Sequence, residues 1–300
     1  MRCPADKNLV LFDCQRFSIS MEKEDGTIVK VMAKSRFEYV KQFENENYLL
    51  PDTYIIIRVD GKGFHKFSDH YKFDKPNDLR ALQVMNRAAK AIVEQYPDIL
   101  MAYGDSDEYS FLLRKKCQLF ERREMKLVST FASAITTEYY YHWNQEFPDK
   151  PIDGVRKPQF DARCVIYPNF KIIQDYFAWR QVDCHINNLY NTTFWTLVLK
   201  GGMTPQEAEN RLIGTLSSDK NEILFKQFNI NYNNEPEIFK KGTIIMRQYD
   251  NYKPVEETDQ LSNRQLQRLE KIRKKADIIF LHVDLVKDEE FWTSRPWLSD

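Results

Sequence analysis

Between positions 54 and 167 the hydrophobic residues follow two rhythms in turn. Residues 54–60 form a short isoleucine-rich run that stops at Gly61, which predicts a buried strand. Leu82, Met85, Ala89 and Ile92 recur at helical spacing and predict a helix over 81–95, with Lys75-Pro76-Asn77-Asp78 as its start and Pro97 as its stop. Two apolar runs, 99–103 and 107–113, flank Gly104-Asp105-Ser106 and predict a hairpin. Met125, Val128, Phe131 and Ile135 share one face of a helix over 120–141, and 162–167 reads as a strand stopped by Pro168. In order this is β-α-β-β-α-β, an α+β pattern of ferredoxin-like topology. After Pro168 the chain reads as mainly helical (175–190, 193–199, 205–216 and 261–275), with a short strand at 243–246.

Residues 1–31 show no clear period of either kind, and Met21-Glu22-Lys23-Glu24-Asp25-Gly26 reads as a turn or a disordered segment. Phe37, Val40 and Phe43 then open a helical pattern, so the folded part is expected to start near Met32. The organisation expected is an N-terminal extension (1–31), a mixed α+β region (32–168) and a mainly helical region (169–300).

Composition narrows the function classes mostly by exclusion. With 42% hydrophobic residues the 300-residue chain can bury a sizeable core. Lys+Arg and Asp+Glu both total 44, so any polyanion must be bound by a local patch rather than by net charge. No apolar run approaches the roughly 18 residues of a membrane span, and Leu9-Val10-Leu11-Phe12 is too short for a signal peptide. Five scattered cysteines without a CxxC pair suit a reducing compartment and argue against a disulfide framework or a structural zinc site. Neither HExxH nor GxSxG occurs, which leaves a zinc hydrolase and an α/β-hydrolase unsupported.

Chemistry concentrates in two segments. Arg58-Val59-Asp60-Gly61-Lys62-Gly63-Phe64-His65 sets a carboxylate at a strand end beside glycines whose backbone N–H groups can hold phosphate. Tyr103-Gly104-Asp105-Ser106-Asp107-Glu108 puts further carboxylates at the hairpin. In the ferredoxin-like order the strands carrying Asp60 and Asp107 are central neighbours. Two carboxylates so close need a cation, and Mg²⁺, bound through carboxylates and substrate phosphates, suits phosphoryl transfer, with two ions about 3.5–4 Å apart in the two-metal scheme. Strand parity places Asp107 and Glu108 on opposite faces, so only one of them is expected to partner Asp60. A long basic loop over 61–77 brings Lys75 to a helix N-terminus, where a triphosphate is favoured. The amide- and aromatic-rich stretches 181–191 and 228–234 suit reading of unpaired bases, and equally helix caps and turns.

These motifs, with Asp219-Lys220-Asn221-Glu222 and His185-Ile186-Asn187-Asn188-Leu189-Tyr190-Asn191, together resemble the eukaryotic tRNA-histidine guanylyltransferase family from about Met32 to about Met246. The resemblance implies a polymerase-type palm with a fingers-like C-terminal domain, acting as a homotetramer on histidine tRNA in the cytoplasm or nucleus. The implied reaction adds one guanylate in the 3′-to-5′ direction, after ATP activates the 5′-monophosphate. It implies Asp60, Asp107 and the Gly61 carbonyl as ligands of two Mg²⁺ ions, with Glu108 in the essential acidic set. GTP would meet Asp60, Gly61, Lys62, Gly63, Phe64, His65, Lys75, Ser106 and Asp107. Lys126 and Arg163 match positions tied to the ATP step, and His185, Asn191, Lys220 and Asn231 match positions tied to tRNA. Two other readings share the topology: a nucleotidyl cyclase using GTP alone, and a non-catalytic RNA-binding module. The latter requires a basic, aromatic third strand, whereas this one opens with Asp107-Glu108.

Overall fold

The computed structural model describes residues 18–22, 28–32, 36–249 and 262–300. The chain divides into two compact units, Met1–Glu46 and Asn47–Asp300. In the first, β1 (Ser18–Glu22) and β2 (Ile28–Met32) pair antiparallel, with Ile19 opposite Val31 and Met21 opposite Val29. The expectation of no period over 1–31 is thereby corrected. Each run is only five residues long, so its alternation becomes visible only once the two strands are set in register. Residues 23–27, most of the expected turn, and Leu9 to Phe12 lie outside the described residues. The pattern from Phe37 to Phe43 forms a 3₁₀ turn, Glu38–Phe43, and leaves Phe37, Val40 and Phe43 exposed.

The second unit is built on a six-stranded antiparallel sheet in the order β6-β3-β5-β4-β7-β8. Its strands are β3 (Tyr54–Gly61), β4 (Ile99–Asp105), β5 (Glu108–Leu113), β6 (Phe160–Tyr167), β7 (Thr243–Gln248) and β8 (Asp277–Leu281). The helices are α1 (Phe64–His70), α2 (Leu79–Gln95), α3 (Glu124–Glu146), α4 (Phe170–Leu199), α5 (Pro205–Leu212), α6 (Ser217–Phe228), α7 (Glu237–Lys241), α8 (Asn263–Lys275) and α9 (Glu289–Thr293). Ile55, Ile57 and Val59 point to one face of the sheet and pack with α2 and α3. Tyr54 and Ile56 point to the other, where they meet α4 and the C-terminal Trp292, Trp297 and Leu298. A strand buried on both faces reads as an unbroken apolar run, which is why β3 was so legible. Among the described residues no helix is long and apolar enough to cross a membrane.

Several elements differ from the sequence pattern. The expected loop over 61–77 contains α1, whose Phe67 is buried; the helix has only seven residues, too few for a periodicity to show. The expected helices 175–190 and 193–199 are one 30-residue helix, α4. The gap expected at 191–192 does not form: Thr193 Oγ1 donates to the Leu189 carbonyl at 2.7 Å and the helix runs on. The helix expected over 205–216 stops at Leu212, and the separate α6 follows Gly214, whose φ of +75° an L side chain rarely adopts. The helix expected to begin at 120 begins at Glu124, because Phe120 to Arg122 have positive φ. Arg122 is itself buried and donates to the carbonyls of Leu49, Leu50, Thr53 and Cys117. The C-terminal helix starts at Asn263, residue 261 lying outside the described residues. The pattern does turn helical after Pro168, but β7 and β8 return to the sheet, so Asn47–Asp300 is one compact unit.

Asp78 begins α2, accepting from the Arg80 N–H at 3.0 Å and from the Asp74 N–H at 3.1 Å, with the Arg80 guanidinium beside it. Burial pushes its pKa up, yet the hydrogen bonds and the Arg80 charge outweigh this and hold it below the ordinary 3.8. A depressed folded-state pKa contributes stability above the unfolded value and loses it as the pH falls through the folded one. Asp78→Ala is therefore expected to cost about 1–2 kcal/mol near neutral pH. Urea unfolding should show that cost shrinking below pH 3.8; a cost independent of pH would rule out the charged cap.

Candidate active site

The register of the two central strands sets the site. Asp60 stands directly opposite Glu108, the last pair before β3 and β5 part. Asp105 pairs with Glu108 across the hairpin, so the connection is the two-residue turn Ser106-Asp107, with Ser106 at φ +55°. The turn therefore lies one step later than the expected Gly104-Asp105-Ser106, and Asp107 belongs to it rather than to a strand. This removes the parity constraint: Glu108 is the cross-strand partner of Asp60, while Asp107 reaches the same place from the turn. The Gly61 N–H donates to the Asp107 carbonyl at 3.1 Å. A Cβ on Gly61 would fall 2.5 Å from Asp107 Oδ2, so only glycine lets this carboxylate lie over the end of β3.

The acidic groups are held differently. Burial raises the Asp107 carboxyl to about 6, and the neighbouring Asp60 adds to the rise. Burial also raises Asp105 to about 6, while Cys184 and Arg180 pull it back. Glu108 is raised by burial too, but Arg180 Nε lies 2.8 Å from its Oε1 and Arg58 Nε 3.7 Å from its Oε2. Arg180 is carried by α4 one turn beyond Tyr176, whose hydroxyl shares a 2.8 Å hydrogen bond with Ser110 of β5. Glu108 thus has protein cations, whereas the Asp60–Asp107 pair has mutual repulsion.

That difference is the test for a metal. A raised Asp107 carboxyl beside Asp60, with a glycine opening the backbone next to them, is a donor set that a divalent cation would relieve. Among the described residues no group of three or more acidic, histidine or cysteine side chains forms a complete cage. Mg²⁺ does not require one, because it is commonly held by one or two carboxylates with water and substrate phosphates. The residues fit the ion.

A cleft of about 520 Å³ opens over these carboxylates. It is lined by Asp60, Phe64, His65, Lys75, Ser106, Asp107, Glu108 and Asn191 from the expected set. Gly61 adjoins it, whereas exposed Lys62 and Gly63 precede α1 and do not line it. Lys75 Nζ lies 3.2 Å from Asp69 and 5.2 Å from the centre of the Trp195 ring. Five expected residues lie elsewhere. Lys126 is exposed near the start of α3, over the Phe120 ring. Arg163 is exposed on β6, 3.3 Å from Asp161 and in register with Arg58, on the sheet face opposite α3. His185 stacks edge-on against Tyr232, and burial together with Lys240 lowers its pKa. Lys220 Nζ donates to Thr215, and Asn231 caps the turn at 232–234.

Sequence reading missed Arg180, which stands in no motif that announces a role, and took Asp105 only as part of the hairpin turn. It also missed how the two amide-rich stretches meet: Asn77 donates to Asn188 at 2.9 Å, and Asn188 donates to the Tyr232 hydroxyl at 2.9 Å. This chain ties the segment before α2 to α4 and to the turn after α6.

The geometry can be set beside known proteins. Residues 37–168 match the family model described as tRNAHis guanylyltransferase, and residues 171–287 match the Thg1 C terminal domain. The chain is 71% identical over 269 residues to the tRNA(His) guanylyltransferase of Debaryomyces hansenii, covering 90% of this chain and all of that one. It is 54% identical over 269 residues to that of Schizosaccharomyces pombe, covering 89% and 98%. The crystal structure of tRNA(His) guanylyltransferase from Saccharomyces cerevisiae superposes with a TM-score of 0.68 at 54% identity, over 70% of this chain and 93% of that one. A bacterial Thg1-like protein in complex with ATP shares the fold at TM-score 0.66 and 21% identity, over 89% and 99%.

Proposed function

We propose, for a chain that belongs to the tRNAHis guanylyltransferase family and is a nucleotidyltransferase, that its acidic cleft adds one guanylate to the 5′ end of histidine tRNA in the 3′-to-5′ direction. The observation that carries this reading is the neighbouring Asp60 and Asp107 carboxylates, which line one cleft with Lys75 and Ser106. The β6-β3-β5-β4 order supports describing the α+β sheet as a ferredoxin-like, polymerase-type palm, with α4 to α7 as the fingers-like part.

Three phosphoryl transfers make up the reaction. The 5′-monophosphate of the tRNA attacks the α-phosphorus of ATP and pyrophosphate leaves. The 3′-hydroxyl of GTP then attacks the activated 5′-phosphorus and AMP leaves. Water finally removes pyrophosphate from the added nucleotide. Asp60, Asp107 and the Gly61 carbonyl would hold two Mg²⁺ ions, which would supply charge neutralisation at the phosphates. Around them the protein positions. Lys75 neutralises triphosphate charge beside the N-terminus of α2, and Phe64, His65 and Ser106 line the nucleotide's place. Arg180 and Arg58 fix Glu108, so that its carboxylate keeps one orientation as charge moves past it. Lys126 and Arg163 serve the ATP step, and His185, Asn191, Lys220 and Asn231 meet the tRNA. A complex of a bacterial Thg1-like protein with ATP, and another with GTP, support both nucleotides as substrates. The working form proposed is a homotetramer in the cytoplasm or nucleus.

The test is transfer of label from α-labelled GTP to 5′-monophosphorylated histidine tRNA with ATP and Mg²⁺, beside a phenylalanine tRNA. Label on histidine tRNA alone is expected. A cyclic nucleotide formed from GTP without RNA would instead establish a cyclase.

A further inference from the structure

A second pocket, about 210 Å³ in volume, lies beside the cleft. The two share Lys75, Asn77 and Trp195, so whatever enters the pocket is within reach of a nucleotide in the cleft. Its other polar walls are Thr192, Thr196, Lys200 and Glu235. Thr192 is only 3% exposed, and its hydroxyl has no hydrogen-bond partner. A buried hydroxyl without a partner costs free energy that folding alone does not recover, and the residue that carries it lines this pocket. Trp195 stands beside it on α4, half-buried, its indole forming part of the wall of both spaces. Lys200, exposed at the C-terminal end of the same helix, adds a cation at the mouth.

An aromatic wall, a hydroxyl that can donate or accept, an amide and a cation at the rim are together the chemistry that recognises one nucleotide of a single strand. The ring stacks on the base, the polar groups meet its edge and the cation meets the adjoining phosphate. We propose that this pocket takes an unpaired base of the RNA substrate next to the reacting 5′ end, with Trp195 as the stacking surface and Thr192 as a hydrogen-bonding contact. The proposal rests on the reading that the adjoining cleft handles the tRNA 5′ end. It gives α4 two tasks, since one turn pairs Arg180 with Glu108 and another, three turns later, holds the RNA.

The experiment measures binding of 5′-monophosphorylated histidine tRNA to the full chain by fluorescence anisotropy, with GTP binding and thermal midpoint measured on each variant. Thr192→Val keeps shape and removes only the hydroxyl. It is expected to weaken tRNA binding about fivefold while GTP affinity holds and the thermal midpoint is unchanged or higher. Trp195→Ala is expected to weaken tRNA binding about tenfold or more, and Trp195→Phe to keep most of it. Should Trp195→Ala fail to fold, Thr192→Val and Trp195→Phe still decide. If Thr192→Val binds tRNA as wild type does, the pocket holds only water and the proposal is overturned. An equal loss of tRNA and GTP affinity in Thr192→Val overturns it as well, because the hydroxyl would then belong to the nucleotide cleft. Guanylate transfer by the wild-type chain is scored in the same preparations. Failure of the cleft reading, seen as no transfer, is thus told apart from failure of the pocket, seen as unchanged RNA binding.

Discussion

Asp60→Ala and Asp107→Ala are each expected to lower guanylate transfer by about 10³-fold or more, while binding of histidine tRNA stays measurable. The two carboxylates stand together at the end of the central strands, and neither has the arginine pairing that holds Glu108. Removing either leaves one carboxylate, too little to hold the charge that gathers at phosphorus as the nucleotide is transferred. Folding should survive, because both side chains sit at the edge of the core rather than in it. Removing one partner of a repelling pair also relieves the other. The check is single-turnover transfer with saturating nucleotides, alongside tRNA anisotropy and a thermal melt. Full activity in either variant would sink the assignment, and loss of tRNA binding in step with activity would make these residues structural.

The second large effect separates the steps. Lys126→Ala and Arg163→Ala are expected to lose about 10²-fold on 5′-monophosphorylated tRNA and to return to within a few fold of wild type on 5′-triphosphorylated tRNA, which bypasses ATP. Both residues lie outside the cleft that holds the carboxylates, and both are exposed. Their charges can therefore be removed without disturbing the metal-binding pair or the core. An equal loss on both substrates would move them from activation to the transfer step or to folding. These two positions project from opposite faces of the sheet, Lys126 from the helix packed on one and Arg163 from the other. A result in which only one variant is rescued would assign the ATP step to that face.

How much of this was legible follows from what each signal depends on. The Asp60 and Asp107 motifs were readable because a strand buried on both faces is an unbroken apolar run, and its end is marked by glycine. The expectation that only one of Asp107 and Glu108 could partner Asp60 failed because parity assumed that Asp107 lay within the strand. The hairpin turns one residue later, with Ser106 taking the left-handed backbone, and that lets two consecutive acids converge. Arg180 could not have been singled out, since an arginine among other polar residues of a 30-residue helix carries no spacing signal. It becomes part of the site only because Ser110 and Tyr176 dock α4 against β5. The same holds for Thr192: its isolation is a property of the packed helix, and in sequence it falls between two expected helices.

By itself the sequence determined, α1 apart, the alternation of strands and helices over 54–167, the acidic and glycine-rich ends of the central strands, and the family to which they point. Each of these is a local pattern, set by side-chain periodicity or by which residues tolerate a turn. Only the tertiary structure decided that β7 and β8 rejoin the sheet across the change of pattern at Pro168. It alone decided that Arg180 and Arg58 neutralise Glu108 but not Asp107, and that Asn77, Asn188 and Tyr232 link three distant segments. The reason is physical: pairing and burial depend on which groups are brought within a few ångströms, and groups more than a hundred residues apart in sequence meet only once the core has formed.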